Sequence, residues 1–74
     1  MAKYPVEKRS VTIRGHRTSV SLEAPFWDAL KDIAAAEGRS LGSLIAEVDE
    51  SAQGNLSSAL RVHVLEWLRG RLGN

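Results

Sequence analysis

Arg17-Thr18-Ser19-Val20-Ser21-Leu22, then Ala24-Pro25-Phe26, then Glu37-Gly38-Arg39-Ser40-Leu41-Gly42-Ser43 is the stretch whose reading decides the fold. In the first part side chains alternate along a strand, so Thr18, Val20 and Leu22 share one face while Arg17, Ser19 and Ser21 share the other. That makes one apolar face and one cationic, hydroxyl-bearing face. Pro25 suits the first turn of a helix, where its missing N–H costs nothing. Phe26, Leu30, Ile33 and Ala34 then recur at steps of three and four, and Gly38 supplies a stop. Ser40 is a good N-cap for a second helix, with Leu41, Leu44, Ile45 and Val48 on its apolar stripe. Only Gly38 and Arg39 separate the two helices, which forces a tight corner.

Upstream, strand-like residue types reach back to Lys8, with Val11 and Ile13 before Gly15 and Val20 after it. Residues 8–22 therefore fit either one long strand or two strands turning at Arg14-Gly15-His16. Residues 1–7 read as a flexible basic arm, and residues 8–74 as the folded domain. Downstream, Gly54-Asn55 reads as a turn, with Asn55 capping a third helix along Leu56, Leu60, Val64, Trp67, Leu68 and Leu72. Val62 and Leu65 widen its apolar arc, so this helix is expected to pack on two sides, its own core and a second subunit. The fold class is mainly α with a short N-terminal β segment.

The chain has 74 residues, which makes it one domain at most, and no cysteine. Without disulfides, thiolate chemistry or a cysteine-based metal site, so short a chain is expected to gain its stability in an oligomer. Its longest apolar run, Ile33 to Ala36, is far too short to span a membrane, and a soluble, cytoplasmic protein is expected. A net charge of +1 hides a division. Lys3, Lys8, Arg9, Arg14 and Arg17 face only Glu7 in residues 1–22, giving +4, whereas residues 23–74 carry −3.

The order strand, helix, glycine-containing corner, helix over residues 17–48, with its Gly38-Arg39-Ser40-Leu41 run, resembles the ribbon-helix-helix family of bacterial DNA-binding proteins, of the MetJ and Arc type. The resemblance implies an intertwined homodimer, to which the C-terminal third helix is an addition, in which two strands pair antiparallel and enter the major groove. It further implies that outward strand residues read bases and that the start of the second helix meets a phosphate. Here the base-facing candidates are Arg17, Ser19 and Ser21, with Arg17 the main reader because its guanidinium can fork onto guanine O6 and N7. Phosphate candidates are Lys8, Arg9, Arg14 and His16, together with Ser40, Leu41, Gly42 and Ser43 at the positive end of the helix dipole. Val20, Leu22, Leu30, Ile33, Leu44, Ile45 and Val48 are the expected dimer core. A hairpin in place of a single strand would give a dimer a four-stranded sheet, too broad to enter the groove as a two-stranded ribbon does.

Other chemistry finds little support. His16 and His63 have no third ligand at metal spacing, so no metal and no cofactor are expected, and Trp27 and Trp67 suit core or dimer anchors. Asp28 and Asp32 read as solvated carboxylates near a helix start. With no nucleophile–base pairing, P-loop or dinucleotide fingerprint, no catalytic residue is assigned and the chain is not expected to be an enzyme. The expected function is a sequence-specific transcriptional regulator, a repressor by preference, that binds double-stranded DNA as a homodimer or higher assembly. The alternative is a protein-interaction module of the same fold, antitoxin-like or partner-docking, using residues 47–72.

Overall fold

The computed structural model describes residues 4–73. Residues 1–3 of the expected arm, Lys3 among them, lie outside the described residues, as does Asn74. Strand β1 (Val6–Ile13) begins within the stretch expected to be an arm and pairs antiparallel with β2 (His16–Glu23). The alternatives left open for residues 8–22 thus resolve to a hairpin. Its turn is Arg14-Gly15, with φ of 49° and 83°. Both values are those of a type I′ turn, whose twist matches that of the flanking strands, and glycine is the residue that adopts the second at least cost.

The two-residue turn sets the register, with Ile13 opposite His16, Thr12 opposite Arg17, Ser10 opposite Ser19 and Lys8 opposite Ser21. Directly opposed residues share a face. One face of the hairpin therefore carries Arg9, Val11, Ile13, Thr18, Val20 and Leu22, and turns to the helices. The other carries Lys8, Ser10 and Thr12 beside Arg17, Ser19 and Ser21.

Helix α1 (Ala24–Ala36) starts directly from β2, with Pro25 in its first turn. At its end the Gly38 N–H donates to Ala35 O at 3.1 Å and the Arg39 N–H to Ala34 O at 3.0 Å, with Gly38 at φ 67°. This is the Schellman arrangement, and it satisfies carbonyls that a helix end leaves open. Arg39 holds the corner by pairing with Glu37 at 2.9 Å and with Glu47 on the next helix. Helix α2 (Leu41–Ser51) is capped as expected, the Ser43 N–H donating to Ser40 Oγ at 3.1 Å. Helix α3 (Leu56–Gly73) is capped by Asn55, whose Oδ1 accepts from the Ser58 N–H at 3.0 Å.

The hairpin and three helices close a core within one chain. Val20, Leu22, Trp27, Leu30, Ile33, Leu44, Ile45 and Leu60 are all fully buried, with Val48 and Val64 nearly so, and no polar or charged residue joins them. The seven residues expected to build a dimer core are thus already covered intramolecularly. Strand β1 and helix α3 make the difference, because they add apolar surface above and beside the helix pair. Trp27 is the largest member, and its indole N–H donates to Glu7 O at 2.9 Å, so burial leaves its polar atom satisfied. Trp67 packs at the edge of the same core.

Candidate nucleic-acid interface

The outward face of the hairpin is where chemistry that can meet a polyanion gathers. Its central positions hold a cation at each of two corners, Lys8 and Arg17, and hydroxyls at Ser10, Thr12, Ser19 and Ser21. Among the described residues neither Lys8 nor Arg17 makes an ion pair. Their charge is therefore available to an external partner. The acidic exception, Glu23, sits at the far end of β2 and is occupied, accepting from Arg61 Nε at 2.9 Å. A backbone N–H and then the Arg61 guanidinium hold its carboxyl below its ordinary value of 4.5.

Ser10 and Thr12 join this face without standing out in the sequence. The signal is present in the alternation of Lys8, Ser10 and Thr12 with Arg9, Val11 and Ile13. What sequence lacks is the register that sets this face of β1 beside that of β2, and the register follows from the two-residue turn.

The remaining basic candidates have different settings. Arg9 lies on the inner face, its guanidinium 4.9 Å from the centre of the Trp27 ring and 2.7 Å from Glu7 Oε1. Arg14, in the turn, reaches 2.9 Å from Asp49 Oδ2 and 3.5 Å from Glu50 Oε2, so two carboxylates offset its charge. His16 is exposed beside the turn.

The start of α2 adjoins the ribbon. A side chain placed on Gly42 would come 3.9 Å from Thr12 O, so this helix end stands against the open edge of β1 near the turn. The Ser43 N–H is taken by Ser40 Oγ and the Leu44 N–H by Ser40 O. Among the described residues that leaves the N–H groups of Leu41 and Gly42 without a partner at the positive end of the helix dipole, with the Ser43 hydroxyl exposed next to them.

Residues 6–68 match the ribbon-helix-helix domain. The chain is a ribbon-helix-helix protein. Its family is one of DNA-binding regulators, typically non-enzymatic. Among solved structures this ribbon-helix-helix chain is similar to an uncharacterized protein from Bordetella pertussis Tohama I, with 37% sequence identity and a TM-score of 0.75. The match covers 88% of this chain and 57% of that one, so the ribbon-helix-helix chain spans little more than half the length of its structural relative. Comparison with curated proteins finds no match. Among the described residues no helix of the ribbon-helix-helix protein is long and apolar enough to cross a membrane.

Proposed function

We propose that this protein is a sequence-specific DNA-binding transcriptional regulator, acting as a homodimeric repressor in the cytoplasm, and that each chain presents its own hairpin to the major groove. The observation that carries this reading is the composition of the hairpin's outward face, with Lys8 and Arg17, neither in an ion pair among the described residues, and four hydroxyls across two paired strands. A two-stranded ribbon fits the major groove, which is roughly 12 Å wide. Four strands in one sheet would span about 14 Å between outer backbones before side chains are counted. One hairpin per groove is therefore the arrangement that the dimensions favour, in place of a ribbon assembled across two chains.

Within that ribbon Arg17 reads bases, since its guanidinium matches guanine O6 and N7, while Ser19, Ser21, Ser10 and Thr12 supply short-range hydroxyl contacts. Lys8 and the Leu41 and Gly42 N–H groups hold phosphates and set the register on the duplex. Selection of operator fragments followed by anisotropy titration tests the reading. Arg17→Ala is expected to cost about 1–3 kcal/mol on the preferred site and to relax base preference. Absence of DNA binding at low salt, or an Arg17→Ala variant with unchanged preference, would overturn it.

A further inference from the structure

Where α2 turns into α3 the two helices enclose a groove of about 520 Å³. Small-molecule sites have this size. A docked helix needs more room, since two turns at a diameter of about 10 Å occupy roughly 850 Å³. Part of the lining is apolar: Val48 from the core, Ala59 packed against it, and the more exposed Val62. Each helix also contributes one carboxylate, Glu47 from α2 and Glu66 from α3, and among the described residues no lysine or arginine lines the groove.

Both carboxylates keep capacity for a further cation. Glu47 accepts from Arg39 through Oε1 alone, and Glu66 makes no ion pair among the described residues. His63, also in the lining, has a buried Nε2 with no hydrogen-bond partner among the described residues. Buried polar atoms seldom stay unpaired, so this one marks a place where a donor belongs.

We infer that the groove is a binding site for a small linear diamine, of the class of putrescine and cadaverine. Its two ammonium groups answer the two carboxylates on facing helices, and its methylenes lie on Val48, Ala59 and Val62. Each ammonium carries three N–H donors, enough to pair with a carboxylate and to give one bond to a neutral imidazole. An anion would meet two like charges and no opposite one in this lining. A purely apolar ligand would leave His63 Nε2 as it is, and a single amine would answer one carboxylate only. Bound across the groove, the diamine ties α3 to α2 and stabilises the folded chain.

Calorimetric titration and thermal melts of the full chain test the site, with no DNA present, so the result is separable from that of the DNA-binding reading. Putrescine and cadaverine are expected to bind saturably, one per chain, and to raise the melting temperature. Butylamine should bind about fivefold more weakly, and butanediol and glutarate not at all. Glu47→Gln and Glu66→Gln should each raise the diamine dissociation constant about fivefold. His63→Phe, which keeps a ring and removes the acceptor, should do so by a similar factor of about five. Asp28→Asn and Asp32→Asn, exposed carboxylates on α1 outside the groove, should leave it unchanged. No saturable binding of either diamine would overturn the inference. So would Asp28→Asn weakening binding as much as Glu66→Gln, which would assign the effect to loose attraction of counterions. Equal affinity for butylamine would overturn it in favour of a single ammonium, such as a lysine side chain, and an unchanged affinity in His63→Phe would overturn the part given to the imidazole.

Discussion

Lys8 and Arg14 carry the same charge and sit one strand apart, yet their surroundings predict opposite roles on DNA. Lys8 is exposed on the hairpin's outward face opposite Ser21, with no ion pair among the described residues. Arg14 lies 2.9 Å from Asp49 and 3.5 Å from Glu50, and engaging a phosphate would require it to leave both. Each phosphate neutralised by a free cation contributes about 0.9 to the slope of log affinity against log salt, because condensed counterions are released. On a short duplex that admits one hairpin, Lys8→Ala should therefore reduce the magnitude of the slope by about 0.9. Between about 50 and about 200 mM salt this amounts to a roughly 3.5-fold smaller loss of affinity than the wild type shows. Arg14→Ala should leave the slope nearly unchanged, since no phosphate contact is removed. Fluorescence anisotropy titrations over a salt series read both numbers, and comparing variants with the wild type cancels any contribution from the remaining cations. Equal reductions for the two variants, or a larger one for Arg14→Ala, would refute the assignment of the outward face as the phosphate-bearing surface.

Three stability predictions follow from the fold. Trp27→Ala empties the largest buried site and frees Glu7 O, and should cost about 3–5 kcal/mol in chemical denaturation, with Arg9 losing its stacking surface. Gly15→Ala places a side chain at φ 83° in the I′ turn and should cost about 1 kcal/mol with no steric contact to explain it, since nothing lies within 4 Å of the added carbon. The Glu23 carboxyl titrates below its ordinary value of 4.5 in the folded chain, so its stabilisation is present above that pH and is lost as the pH falls through the lower folded value. Thermal melts across that acidic range should show the wild type losing stability more steeply than Glu23→Gln, and parallel profiles would contradict the ion pair with Arg61.

Much of the molecule is legible along the chain because its signals are local. The stripes of α1 and α2, the Gly38 stop, and the Ser40 and Asn55 caps each act within a few residues, where backbone geometry and hydrogen bonding leave few alternatives. The polar alternation of Arg17, Ser19 and Ser21 is readable on the same ground. The β1 half of that face is not, since Ser10 and Thr12 are ordinary residues until a partner strand gives them neighbours. Nor do the basic residues differ in sequence. Only their surroundings separate Lys8 and Arg17, which make no ion pair among the described residues, from Arg9 on its tryptophan and Arg14 between two carboxylates 35 positions or more away along the chain.

Alone, the amino-acid sequence determined an extended N-terminal segment followed by three helices, the tight corner between α1 and α2, and a basic first third on an acidic remainder, because period, caps and charge are written residue by residue. Tertiary structure decided which strand pairs with which, which cations stay available, and that Val20, Leu22 and the helix stripes find their cover inside one chain. The physical reason is that pairing, burial and charge compensation are properties of groups brought together from distant positions. Helix α3 shows both sides of this: its wide apolar arc is visible in sequence, but only folding separates the stripe that is buried from the one still turned outward.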